Sequence, residues 1–235
     1  MSERQDSSTA VRRGTVVWVL ASSPTWPVHG SVEWLPAPQK VVAADGGTTL
    51  AAALGVVPDL IIGDLDSSEM ALVQRFVEQG AETATYQHTT KLETDTELAA
   101  LAALRWNPAS IYVLGGTGGR LDHALANILM LTHPELAERD VRIIEGQQAI
   151  YLGKPGRWND LRGTPGDTVS LLPLGTDVEG VRTEGLEYPL SGETLLEGRG
   201  RGVSNTITGT LGRVWFETGQ LLIVHTHFAL VKGGQ

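Results

Sequence analysis

Short apolar runs punctuate the first 146 residues: Val16–Ala21, Lys40–Ala44, Leu60–Ile62, Ser110–Leu114 and Asp140–Glu145. Each has the length of a buried strand and ends in Gly, Asp or Ser. Between them lie stretches with helical character: Thr48–Leu54, Glu69–Gln79, Asp95–Trp106 and Leu121–Leu131. In the last of these, Leu121, Leu125, Ile128 and Leu129 recur at the 3.6-residue spacing of one helix face. Strands alternating with helices predict βαβ units and a mainly parallel sheet. Beyond residue 147 the helical spacing stops. Thr168–Leu174, Val178–Glu184, Gly212–Glu217 and Leu221–Phe228 read as strands set between Gly, Pro and Asp turns. The chain therefore divides into a polar tail (1–12), an α/β domain (13–146) and an all-β, sandwich-like domain (147–235). Gly153–Gly166 is the linker or an early loop of the second domain.

Composition narrows the function classes. The 235 residues are 41% apolar and 19% charged, ordinary for a soluble globular protein. No run approaches the ~18 apolar residues of a membrane span, and the polar first dozen lack the apolar core of a signal peptide. There is no cysteine, which excludes thiolate chemistry and disulfides and fits a cytoplasmic location. A net charge of −9 argues against general nucleic-acid binding.

Four polar clusters stand where a predicted strand gives way to a helix: Asp45-Gly46-Gly47, Gly63-Asp64-Leu65-Asp66, Thr94-Asp95-Thr96-Glu97, and Gly115–Gly119 followed by Arg120-Leu121-Asp122-His123. Ligands of open α/β sheets bind beyond the carboxyl ends of the strands, so such clusters converge. In extended backbone, Asp64 and Asp66 point to one side and suit a shared divalent cation, which takes carboxylates together with substrate phosphates. Two carboxylates that close also oppose each other's ionisation unless a cation joins them. Gly46 and Gly118 let backbone approach a phosphate, and Arg120 is placed to meet one. The loop lacks the Gly-Lys-Ser/Thr of a P-loop. Taken singly, Asp66 before Glu69 and Thr94 before Glu97 read better as helix caps, and Asp95 and Asp122 would complement helix dipoles. His123, one turn before Asn127, is a further candidate.

Together these motifs resemble the thiamine pyrophosphokinase family. The resemblance runs through Ala44–Gly47, Pro58–Ser67, Thr94–Leu98 and Gly115–His123, then Val169–Leu174, Gly185–Leu190 and Arg201–Asn205. It implies an ATP-dependent transfer of a pyrophosphoryl group to the hydroxyl of thiamine, giving thiamine diphosphate and AMP. It also implies a homodimer with active sites at the subunit interface. On the matching positions, Asp64, Asp66 and Asp95 would hold Mg²⁺ against ATP. Asp45, Gly46, Gly118, Arg120, Asp122 and His123 would position nucleotide and phosphates, and Tyr188, Ser204 and Asn205 would meet thiamine.

The sequence departs from the family pattern at Leu92, where an acid is usual, and at Ala21-Ser22-Ser23-Pro24, where relatives often carry a Gly-Gly turn. Three other readings stand beside the leading one. They are a pyrophosphokinase of the same architecture with another hydroxymethyl acceptor such as a pterin, a non-catalytic nucleotide or thiamine sensor, and a structural protein whose aspartates only cap helices.

Overall fold

A computed structural model describes residues 14–22, 32–63, 70–85 and 92–228. Its first half alternates as the pattern predicts: β1 (Val16–Leu20), β2 (Lys40–Ala44), α1 (Gly47–Leu54), β3 (Leu60–Gly63), α2 (Met70–Glu78), β4 (Glu82–Thr85), α3 (Asp95–Ala103), β5 (Ser110–Leu114), α4 (Leu121–Met130), α5 (Pro134–Ala137) and β6 (Asp140–Glu145). The second half contains β7 (Gln148–Leu152), β8 (Asn159–Arg162), β9 (Thr168–Pro173), β10 (Val178–Glu184), β11 (Ser191–Leu195), β12 (Asn205–Thr206), β13 (Leu211–Trp215) and β14 (Leu221–Thr226). Strand β8 falls inside the Gly- and Pro-rich stretch that sequence leaves open as linker or loop.

Strands β1 to β6 pair in parallel in the order β6-β5-β1-β2-β3-β4. The apolar runs of β1, β3 and β5 are what a sheet buried on both faces requires. One face packs against Ala99, Ala100 and Ala103 of α3, Met130 of α4 and Leu136 of α5. The small side chains of α3 let its backbone lie close to the sheet. The other face covers Leu50 and Ala51 of α1 and Val73 and Phe76 of α2.

The two halves are joined more intimately than a linker would join them. Strand β7 turns back on β6 through Gly146-Gln147, with Glu145 opposite Gln148. Gly146 has φ 57°, the positive value that a two-residue hairpin turn demands. Strands β14, β9 and β12 then extend the same sheet to ten strands in the order β12-β9-β14-β7-β6-β5-β1-β2-β3-β4. A second, antiparallel sheet, β11-β10-β13-β8, closes over this extension. Between the layers lie Leu161, Val181, Leu195, Val214, Phe216 and Ile223, all essentially inaccessible to water. The second half is thus all-β and sandwich-like, with one of its layers continuous with the parallel sheet.

Helix α4 departs from the simple amphipathic reading. Its buried positions are Ala124, Asn127 and Met130, whereas Leu121, Leu125 and Leu129 are 72%, 51% and 55% exposed. The leucines share a face, and that face points outward. No helix among the described residues is long and apolar enough to cross a membrane.

Candidate active site

Because β1, β2, β3 and β5 run in parallel, their carboxyl ends share one edge of the sheet. Asp45 leaves β2 with φ 44°, a left-handed conformation that few non-glycine residues adopt. Its N–H donates to the Ile62 carbonyl at 2.7 Å, and its own carbonyl accepts from Thr48 N at 3.2 Å and Thr48 Oγ1 at 3.1 Å. The turn is tight enough to forbid side chains beside it. A Cβ on Gly47 would stand 1.9 Å from the Leu20 carbonyl oxygen, and one on Gly46 would stand 2.8 Å from Ser22 Oγ. A Cβ on Gly63 would lie 3.2 Å from Asp45 Cα. The glycines therefore bring the ends of β1, β2 and β3 together around Asp45. Asp64 and Asp66, which follow Gly63 in sequence, lie outside the described residues.

Helix α3 starts at the same edge. Thr94 caps it, its Oγ1 accepting from Glu97 N at 3.2 Å, so the capping reading of Thr94 is correct. Asp95 occupies the first turn, half-buried. Leu92, just upstream, is 98% exposed and packs on nothing among the described residues.

The Gly115–Gly119 loop is held by Glu145, which lies outside the four polar clusters, and by Asn127, one turn after His123. The Glu145 carboxylate at the end of β6 accepts from Thr117 N and Gly118 N, both at 3.1 Å. Buried Asn127 on α4 donates from Nδ2 to the Gly116 carbonyl at 2.7 Å. The amides expected to meet a phosphate thus already meet an anion. In the sequence Glu145 is only the charged end of a strand and Asn127 only the residue one helical turn after His123. Arg120 and Asp122 form a two-pronged ion pair at 3.1 and 2.5 Å on the exposed start of α4. The Arg120 hydrogen bonds hold the Asp122 carboxyl down at about 2, below its ordinary 3.8. His123 is exposed, and its N–H donates to Asp122 Oδ1 at 3.0 Å.

The remaining candidates gather elsewhere. Tyr188 follows β10 and is 56% exposed, so it is no core residue. Asn205 is buried and devotes its side chain to backbone. Its Oδ1 accepts from Tyr188 N at 3.0 Å and Thr206 N at 2.9 Å, and its Nδ2 donates to Tyr188 O at 2.6 Å. It therefore fixes the chain that presents Tyr188. Ser204 is exposed, has φ 58°, and donates its N–H to Ser170 Oγ at 3.1 Å. Asn205 sits on β12, first in the sheet order, whereas Asp45 ends β2, eighth in that order. Seven strand spacings separate them, about 34 Å measured along the sheet at ~4.8 Å each. The folded chain thus brings Asp45, Asp95 and the glycine loop to one edge and sets the Tyr188 cluster at the far end.

Residues 33–144 match the family model for the thiamin pyrophosphokinase catalytic domain. Residues 159–223 match the model for the thiamin pyrophosphokinase vitamin B1 binding domain. The chain is 28% identical to the thiamine pyrophosphokinase of Bacillus subtilis over 186 residues, 79% of this chain and 86% of that protein. It is 26% identical to a thiamine pyrophosphokinase of Oryza sativa over 64% of this chain and 59% of that protein. The crystal structure of the B. subtilis protein superposes with a TM-score of 0.80 at 24% identity, covering 91% of this chain and 99% of that one. That of the Candida albicans protein gives 0.73 at 19% identity, covering 91% and 89%. The fold and its strand-end cluster are those of an α/β nucleotide-using transferase. The chain belongs to the thiamin pyrophosphokinase family.

Proposed function

We propose that this protein transfers the pyrophosphoryl group of ATP to the hydroxyl of thiamine, releasing AMP and thiamine diphosphate. The observation that carries this reading is the ordered match of one chain to both the catalytic and the vitamin B1 binding models of the family. The retained carboxylates at the strand ends support catalysis over a sensor role. The second-half match favours thiamine over a pterin acceptor.

Asp64, Asp66 and Asp95 are the residues that would hold Mg²⁺. An all-carboxylate set matches the hard, oxygen-preferring cation, and the glycine turns around Asp45 put no side chain of their own at that edge. When bound, the ion neutralises charge on the ATP phosphates. The chain's own part is positioning: Asp45 and Gly46 at the β2 turn, and Gly118, Arg120, Asp122 and His123 around the loop, orient the nucleotide so that the hydroxyl lies in line with the β-phosphorus. Tyr188 would stack on the cationic thiazolium, Ser204 would add a polar contact, and Asn205 would hold Tyr188 in place.

The working unit in this reading is a cytoplasmic homodimer. If the edge at Asp45 and the cluster at Tyr188 act on one substrate, one chain keeps them too far apart and a second copy must supply one of them. The exposed leucines of α4 offer an apolar face for such an assembly. Residues 13–146 then serve as the ATP- and Mg²⁺-binding unit and 147–235 as the thiamine-binding unit. The test is AMP release from Mg-ATP with and without thiamine, with the product weighed by mass spectrometry. Thiamine-dependent AMP together with thiamine diphosphate supports the reading; neither product from folded protein overturns it.

A further inference from the structure

Asp167, His225 and His227 gather where the loop before β9 meets the end of β14. Asp167 and His225 are 1% and 3% exposed. His227 Nδ1 stands 3.4 Å and His225 Nε2 stands 3.8 Å from Asp167 Oδ2, and the three donor atoms lie within 4.8 Å of one another. Two ligands about 2.0–2.1 Å from a tetrahedral ion are roughly 3.3 Å apart, so the His227–Asp167 pair already fits while the widest separation must close by up to about 1.5 Å.

Three observations point to a ligand rather than to ordinary packing. First, His225 Nε2 is buried and has no hydrogen-bond partner, although it is aimed at a carboxylate. Second, Asp167 is held in place by other groups. Its Oδ2 accepts from Thr164 N at 2.8 Å, and its Oδ1 accepts from Thr164 Oγ1 at 3.1 Å and Phe228 N at 2.9 Å. Such outer hydrogen bonds orient metal-binding carboxylates. Third, Gly163 keeps the space open, since a Cβ there would lie 2.5 Å from Asp167 Oδ2 and 3.1 Å from His225 Nε2.

We propose that Asp167, His225 and His227 bind one late first-row transition cation, zinc by the chemistry of the donors. Two imidazoles and a carboxylate suit zinc and do not suit Mg²⁺, which prefers oxygen. The cluster borders a cavity of about 290 Å³ lined by Trp34, Tyr112, Arg142, Tyr151 and Arg162. A fourth ligand, water or an anion, would come from that side. Arg142 pairs with Asp140 at 2.9 Å and Arg162 with Asp160 at 3.2 Å, so their charge is partly offset, although Arg142 still acts on both imidazoles as a positive charge that the ion must overcome. Burial lowers the affinity of both imidazoles for protons, that of His225 to about 4. The site tethers the end of β14 to the loop entering β9 and is distinct from the carboxylates of the proposed kinase reaction.

The test uses the full-length, tag-free chain stripped with a chelator. Co²⁺ is titrated with visible absorption as the readout, Zn²⁺ is then added as competitor, and the melting midpoint is followed in parallel. One saturable equivalent, four-coordinate absorption, displacement by zinc and a raised midpoint are expected. His225→Gln and His227→Gln should each weaken cobalt binding more than about 100-fold, beyond what losing an outer hydrogen-bond partner costs. Should either variant fail to fold, X-ray absorption of zinc on the wild-type protein decides. Imidazole scattering with donors at about 2.0–2.1 Å supports the site. An all-oxygen shell, no saturable equivalent, or full binding in both folded variants overturns it.

Discussion

Asp45 and Ser204 are two of the three non-glycine residues with positive φ among the described residues, the third being Asn107. Such conformations persist where surrounding structure enforces them, and they gather at functional sites. Both are positions that sequence marks for substrate. In the proposed reaction the carboxylates divide into ligands and anchors. Asp64→Asn should lower kcat about 100-fold or more, the scale of losing one electrostatic anchor of a transition state, and leave the melting midpoint unchanged; a wild-type rate would return Asp64 to a mere turn residue. Glu145 is an anchor of a different kind, since it satisfies two amides of the glycine loop. Glu145→Ala should cost about 1–3 kcal/mol in urea unfolding, the range for charge-assisted hydrogen bonds left unmade. Asp122 offers a direct titration. Its folded pKa, about 2, lies below the ordinary 3.8 because Arg120 bonds the ionised form. The pair's contribution is therefore present above the ordinary value and is lost as pH falls towards 2. Arg120→Ala should move the Asp122 carboxyl resonance midpoint up towards 3.8.

Element by element, the turn carrying Tyr188 shows how support and contact separate. Tyr188→Ala removes an exposed ring, so stability should hold while KM for thiamine rises about 3- to 30-fold, the worth of one cation–π contact. Asn205→Ala should raise KM too, but with a loss of about 2 kcal/mol or more, because buried backbone groups of Tyr188 and Thr206 lose their partner. A similar KM rise with unchanged stability in both would place Asn205 against the substrate. The same contrast explains what was legible in the sequence. Ser110–Leu114 is apolar after its first residue and buried throughout, the mark of a parallel strand covered on both faces, and Asp140–Glu145 carries the apolar centre Val141, Ile143 and Ile144; the observed bounds of both coincide with the expected ones. Strand β4, Glu82-Thr83-Ala84-Thr85, is largely exposed at the sheet edge and carries no such signal. The α4 leucines repeat correctly, yet periodicity defines a face without saying what covers it. The bonds that Glu145 and Asn205 make to backbone leave no mark in the sequence for a shared reason: their partners are groups that only the folded chain brings beside them.

For the molecule as a whole, the ten-stranded sheet is both scaffold and separator. Because β7, β14, β9 and β12 continue the parallel strands in one hydrogen-bonded sheet, there is no linker among the described residues that can bring the Tyr188 end to the Asp45 edge. A second copy can. If the exposed leucines of α4 carry that contact, Leu125→Glu should shift the mass in solution towards one chain and abolish activity without unfolding the protein. Complementation decides where the site lies. Asp64→Asn and Tyr188→Arg, the latter placing a cation against the thiazolium, should each be nearly inactive as pure dimers. Mixed and allowed to exchange, half of the dimers carry one chain of each kind. If a site takes Asp64 from one chain and Tyr188 from the other, each such dimer regains one intact site of its two. The mixture should then recover about a quarter of wild-type activity under random pairing of identical subunits. If each site is built within one chain, every site stays damaged and the mixture remains as inactive as its components.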